Sequence, residues 1–399
     1  MKRSQFVLSA GALGALPAIA SPARARAAEF FEPIDRSLVL SGGGARGAYE
    51  AGIIGAMAAR DGILDGQPLR DYGAVCGTSI GALNGWFVAT GQYSKLKELW
   101  YGISGRHLIR LKPRYGALHD SESGLFDRIA SVVGLVGLTS DQSGVLQSAP
   151  VLDWITANVD PKTPLVIPFV FAVTNLTQQR PEYFYMRPPD AGGSITQRLI
   201  GALQLSLGPH TVVREATPEL VHRAIFASAA LPVVFDPVLL PAEDGAMNAY
   251  CDGGVASNSP VGIAHAVSRN ADVVLLDPPF EPQPHYADAI EVAYGVYGTM
   301  QRKILEVEMR NAYFQSLGKR ALQRVPAESL TNVLGRDSLL DRFLRGVPAT
   351  DLRYIRPKEV LSVSVVGFDD EVGIGKAYRT GWEDLGRGFS VYDWQTFAL

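Results

Sequence analysis

The sequence has 399 residues, 47% of them hydrophobic and 19% charged, and a formal net charge of −3. That length suffices for one large domain or two ordinary ones, each with a sizeable core. The charge offers no basic face for nucleic acid, and no lysine and arginine cluster interleaved with aromatics appears, so nucleic-acid partners are excluded. Cys76 and Cys251 are the two cysteines, too few for a disulfide framework, and both are expected as buried free thiols.

Residues 1–27 read as an export signal: Lys2 and Arg3, an apolar small-residue run from Phe6 to Ala20, then Ala25-Arg26-Ala27 as an A-x-A cleavage site. The run is short for a membrane span, and an uncleaved anchor is the alternative. Its removal takes the formal charge from −3 to −7. The expected destination is the periplasm or the medium of a bacterial cell, with or without membrane association.

A short apolar strand, Arg36 to Leu40, runs into Ser41-Gly42-Gly43-Gly44-Ala45-Arg46-Gly47, and helix follows over about Ala48 to Arg60. Tyr72 to Cys76 is the next strand, and it enters Gly77-Thr78-Ser79-Ile80-Gly81, followed by a buried small-residue helix to Ala89. Two strands joined by one helix form a right-handed βαβ unit, which places both loops at one carboxyl edge of the sheet.

From Gln92 to Pro164 the pattern is mixed and reads as a cover over that edge, with the apolar run Ile129 to Leu138 taken as core rather than lipid contact. Strands resume at Leu165 to Val173 and, after a helix from about Val261, at Ala271 to Asp277. This alternation predicts a three-layer α/β/α fold with a mainly parallel central sheet. A proline-rich connection, Pro278 to Pro284, leads to a long helix with Ile304, Val307, Phe314 and Leu317 on one face, then an alternating strand Val360 to Val366 and a last helix near Ile374 to Leu385. The expected division is residues 28–277 as the catalytic domain and 278–399 as a helical extension with a late strand, packed on the same domain.

Three short motifs carry chemistry. Ser79 stands between Gly77 and Gly81 at the spacing of a nucleophile elbow, where a sharp strand-to-helix turn exposes Oγ beside free helix N–H groups. The bland reading is a glycine-rich turn with a solvated serine. Asp252, followed by Gly253 and Gly254, is the candidate base, against a surface Asp-Gly turn. Gly42, Gly43 and Gly44 offer successive N–H groups at a helix start, an oxyanion-binding nest that Arg46 adjoins. Gly42, Gly44 and Gly47 also match the dinucleotide fingerprint, but the second strand ends in Val75-Cys76-Gly77 without the acidic residue that would hold a ribose.

With the Gly42 to Gly47 loop, the Gly77 to Gly81 elbow, Ala227 to Phe235, and Asp252-Gly253-Gly254 with Asn258 and Pro260 in this order, the chain resembles the patatin-like phospholipases, over about Ser37 to Asp277. The resemblance implies a lipid acyl hydrolase with a Ser79–Asp252 dyad and an acyl-enzyme, and an oxyanion held by the glycine loop. The histidines are scattered and neither an H-E-x-x-H or paired-cysteine spacing nor an Asp-rich calcium loop appears, so no metal and no cofactor are expected. Arg46 would order the loop or meet a substrate phosphate. The partners expected are a lipid or ester substrate and, transiently, a membrane surface.

Two other readings stay open. One is a lipid-binding protein on the same scaffold without turnover. The other is a Ser-His-Asp esterase drawing on His107, His119, His210, His222, His265 or His285, of which His265 and His285 follow Asp252 in the chain.

Overall fold

The computed structural model describes residues 34–103, 108, 110, 112, 144–189, 207, 211–242, 245–279, 289–325 and 349–397. The expected export signal, the run Ile129 to Leu138, and His107, His119, His210 and His285 lie outside these residues.

Five strands form the parallel heart of the sheet in the order β9 (Asp351–Ile355), β8 (Ser268–Val274), β1 (Ile34–Leu40), β2 (Ala74–Thr78) and β3 (Phe169–Asn175). The order continues through β4 (Arg180–Met186), antiparallel to β3, to β5 (Val212–Glu215), parallel to β4. At the other edge β10 (Ser390–Val391) lies antiparallel to β9. β6 (Val238–Pro241) and β7 (Met247–Cys251) form a hairpin, and β7 also pairs with the end of β3. The central strands are near-continuous apolar runs because helices cover both faces.

Alternation along each strand divides the core in two. Leu38, Leu40, Val75, Phe169 and Phe171 face one layer. Its helices include α1 (Gly47–Asp61), α2 (Ile80–Ala89), α3 (Tyr93–Gly102), α4 (Ala149–Asn158), α5 (Val221–Ala229) and α8 (Glu371–Asp384). Val39, Cys76, Val170 and Ala172 face the other layer, with α6 (Val261–Val267) and α7 (Ala289–Gln323). This is the expected three-layer α/β/α arrangement around a mostly parallel sheet. Among the described residues no helix is long and apolar enough to cross a membrane.

Two C-terminal expectations need correction. Val360 to Val366 is not a strand; the strand is Asp351–Ile355, parallel to β8. Leu361, Val363 and Val366 are buried while Ser362 and Ser364 are not, so the alternation is real, but this segment turns its carbonyls to the glycine loop instead of a neighbouring strand: Val365 O accepts from Ala45 N–H at 2.9 Å. The face of α7 that packs is also not the one the apolar spacing marks. Leu305, Met309, Ala312, Ser316 and Lys319 are buried, whereas Phe314 and Leu317 are 45% and 42% exposed on the opposite side.

Candidate active site

β1 and β2 are neighbours and parallel, so the glycine loop and the elbow rise side by side from the carboxyl edge of the sheet. Ser79 has φ 56° and ψ −125°, a left-handed conformation that costs a non-glycine residue on the order of 1–3 kcal/mol. The turn is possible because its flanking glycines let backbone pass backbone: a Cβ at Gly77 would strike the Gly81 carbonyl, and one at Gly81 the carbonyls of Leu40 and Ser41. Ser79 N–H donates to Ser228 Oγ at 2.9 Å, and Ser228 Oγ–H donates to Ala172 O at 2.6 Å. Ser228, from the Ala227 to Phe235 block, thus ties the elbow to β3 and α5.

Asp252 begins the short 3₁₀ turn Gly253–Val255 that follows β7. Its backbone is fixed from both sides, N–H to Ala230 O at 2.9 Å and C=O from Thr174 Oγ1 at 2.8 Å. The carboxylate is buried, with Oδ1 accepting from Gly254 N–H at 2.6 Å. Oδ2 has no hydrogen bond of good geometry, although the Ser79 hydroxyl is near enough to pull the Asp252 pKa downward. Burial outweighs this and the Gly254 N–H, and raises the carboxyl to about 7. The structure thereby brings Ser79 and Asp252 together across more than 170 residues of chain.

The glycine loop is divided in its roles. Gly42 N–H donates to Asn258 O at 2.9 Å, so the donor role expected of Gly42 is taken by a protein carbonyl. Among the described residues the N–H groups of Gly43 and Gly44 have no acceptor. Gly44 has φ 57°, and a Cβ there would run into the Val365 carbonyl. Arg46 supplies no free cation to this nest: its Nη1 pairs with Asp277 at 2.5 Å and its Nε with Val363 O at 3.4 Å, which anchors the start of α1 to β8 and the C-terminal segment.

Sequence reasoning passed over Glu50. It is fully buried in the first turn of α1, accepts from Ser41 N–H at 2.7 Å through Oε1 and from Asn84 Nδ2 at 2.9 Å through Oε2, while Asn84 Oδ1 accepts from Trp100 Nε1. Burial pushes its pKa up to about 8. The group links the root of the glycine loop to the helix that follows Ser79. A lone acid inside Gly47-Ala48-Tyr49-Glu50-Ala51-Gly52, on a helix buried nearly all round, is the signal that marks it. Gln301 was missed as well: from α7 its Nε2 reaches Asn258 Oδ1 at 3.2 Å.

The two histidines that are described lie elsewhere. His265 is held between Thr350 Oγ1 and Gln315 Oε1, with burial lowering its pKa to about 4, and His222 Nε2 meets Val159 O. Neither contacts Ser79 or Asp252. Cys76 and Cys251 are both buried and free, with burial raising each thiol to about 12. Among the described residues no group of three or more His, Cys, Asp or Glu is placed to hold a metal ion.

Comparison with solved structures finds VipD from Legionella pneumophila, at 15% identity and a TM-score of 0.34, over 91% of this chain and 69% of that one. A chain from the ExoU–SpcU complex of the Pseudomonas aeruginosa type III secretion system matches at 21% identity and a TM-score of 0.16, over 43% of this chain and 36% of that one. The full-length form of that complex matches at 15% and 0.23, over 76% and 59%. The chain therefore spans less than two thirds of both matched ExoU–SpcU chains. No curated protein matches it. The family model described as patatin-like phospholipase matches residues 38–265, which hold the glycine loop, the elbow and the aspartate turn. Matched over more than half its length, the chain belongs to the patatin-like phospholipase family, a family of lipid hydrolases.

Proposed function

We propose that the protein hydrolyses carboxylic ester bonds of lipids through a Ser79–Asp252 dyad. The observation that carries this reading is the strained elbow serine beside a wholly buried carboxylate whose Oδ2 lacks a hydrogen-bond partner. Asp252 Oδ2 takes the Ser79 proton as Oγ bonds to the ester carbonyl carbon, and the carbonyl electron pair moves onto oxygen. Gly43 and Gly44 N–H groups receive that oxyanion; one such donor is typically worth about 3 kcal/mol. Collapse of the intermediate expels the alcohol, which leaves with the proton from Asp252. Water then gives its proton to Asp252, adds to the acyl-enzyme, and restores Ser79 as the carboxylic acid departs.

A carboxylate is a weak base beside imidazole, and its burial supports this assignment by raising its basicity toward neutrality. Residues 28–277 form the proposed catalytic unit with 278–399 packed on it, and residues 1–27 the proposed export signal; sequencing the mature N-terminus checks the latter. Turnover of p-nitrophenyl butyrate and of a phospholipid by the native protein, Ser79→Ala, Asp252→Asn and single histidine variants tests the dyad. Loss in the first two variants with all histidine variants active is expected. One essential histidine would transfer the reading to a triad esterase, and no turnover by the native protein on any ester would transfer it to a binding protein.

A further inference from the structure

α7 lies beyond residue 265, where the family match ends, and it reaches the loop that follows the proposed base. Gln301, Leu305 and Glu308 share one face of this helix. Leu305 is buried, and the two polar side chains, two helical turns apart, take two consecutive residues of the loop. Ser257 Oγ–H donates to Glu308 Oε1 at 2.7 Å, and Gln301 Nε2 donates to Asn258 Oδ1 at 3.2 Å. Ser257 is tied to the elbow as well, its carbonyl accepting at 2.8 Å from the hydroxyl of Thr78, the residue before Ser79. Glu308 thereby fixes α7 against the site, and Gln301 is aimed from a rigid element.

Asn258 in turn grips the glycine loop at one residue. Its carbonyl accepts from Gly42 N–H at 2.9 Å, and its Nδ2 donates to Gly42 O at 3.4 Å. A Cβ on Gly42 would stand 3.2 Å from Ser79 Cβ, so the gripped residue adjoins the serine itself. Gly42 O can only accept, which fixes the end of the Asn258 carboxamide that faces it and leaves Oδ1 at the other end in need of a donor. Asn258 is buried, and among the described residues Gln301 is the side chain that supplies that donor. Gly254 makes room for the relay. A Cβ there would lie 2.7 Å from both Asn258 Oδ1 and Gln301 Nε2 and 2.9 Å from Asp252 Oδ1, so only glycine lets the two amides meet above the aspartate turn.

We propose that Gln301 is a positioning residue for acyl transfer: through Asn258 it sets where Gly42 stands, and hence where Gly43 and Gly44 present their N–H groups to the oxyanion. The inference rests on the acyl-hydrolase reading of Ser79. Gln301 makes no hydrogen bond to Ser79 or Asp252, so it acts on the reaction through the loop alone. Donors displaced from the oxyanion weaken the transition state and leave the bound ester nearly untouched, which is a loss in kcat without a change in KM.

The test is Gln301→Met in the full-length protein, which keeps the length and helix propensity of the side chain and removes its hydrogen bond. On p-nitrophenyl butyrate the variant is expected to lose about tenfold in kcat, with KM within about twofold and the melting temperature unchanged. In an Asn258→Ala background the same change is expected to cost less than about twofold more, because the relay has already lost its middle. Hydrogen–deuterium exchange gives a readout that does not depend on turnover: exchange at Gly42 is expected to be about tenfold faster in Gln301→Met than in the native protein. A kcat within about twofold of native, a loss shared by kcat and KM with a lowered melting temperature, or a tenfold loss that persists without Asn258 would each overturn the proposal. If Asn258→Ala does not fold, the kinetics and exchange of Gln301→Met decide. A native protein without ester turnover would defeat the acyl-hydrolase reading, and equal exchange at Gly42 in the two proteins would defeat the positioning by Gln301 whether or not that reading stands.

Discussion

At Asp252 one side chain is asked both to stay buried and to carry charge, and the two demands conflict. Its pKa near 7 means that the proposed base is half protonated at neutrality. kcat/KM is therefore expected to rise about tenfold per pH unit below pH 6 and to level off above about pH 8, in a pH–rate profile on a p-nitrophenyl ester. The same shift acts on stability with the opposite sense. The folded carboxyl binds its proton more tightly than the unfolded one, so the contribution is fully present below about pH 4 and is lost as pH rises through about 7. Asp252→Asn removes that loss. Thermal unfolding at pH 8.5 should show the variant more stable than the native protein by a few kcal/mol, with the difference vanishing at pH 4, even as turnover falls by at least about 10³-fold. Glu50 and Glu308, both raised to about 8 by burial, titrate in both proteins and cancel in the difference.

The β1-loop-α1 element shows what sequence can and cannot disclose. The tight bend at Gly42 to Gly47 was legible because successive glycines stand before a helix, and the sharp turn at Ser79 was legible because its glycines sit two residues to either side. The division of labour within the nest was not legible. It depends on Asn258 and Val365, which lie more than 200 and 300 residues away and take the N–H groups of Gly42 and Ala45. Likewise Asp351-Leu352-Arg353-Tyr354-Ile355 does not read as a strand, since Arg353 is there to pair with the buried Asp272 of β8 rather than to fill a core. Two changes test this element. Gly44→Ala places a methyl group against the Val365 carbonyl at a positive φ and should lower kcat at least tenfold with little change in secondary structure by circular dichroism. At pH 6, where the buried Glu50 is neutral and its hydroxyl oxygen still accepts, Glu50→Gln turns an N–H donor toward Asn84 Nδ2, itself a donor to Glu50, and should cost about 1–3 kcal/mol in chemical unfolding.

On the scale of the whole molecule, the C-terminal segment is bound into the machinery that the family motifs build. β9 lies against β8 with Arg353 and Arg36 meeting on Asp272. α8 covers α1 so closely that a Cβ at Gly381 would strike the Tyr49 carbonyl. The carbonyls of Val363 and Val365 hold Arg46 and the loop. A chain cut after residue 349 would leave the β8 edge unpaired, Asp272 short of one arginine, and the apolar face of α1 in water. That truncation is expected to be insoluble or to unfold without a cooperative transition, because it opens a strand edge to other chains and bares an apolar helix face. Gly381→Val keeps the full chain and applies the same strain at one point. Its melting temperature should fall, with kcat falling more than KM changes, because displacement of α8 reaches the proposed oxyanion donors through α1. If instead residues 28–349 unfold cooperatively at the native temperature and retain ester turnover, the C-terminal strand and helix are an accessory, and the loop is held by the family core alone.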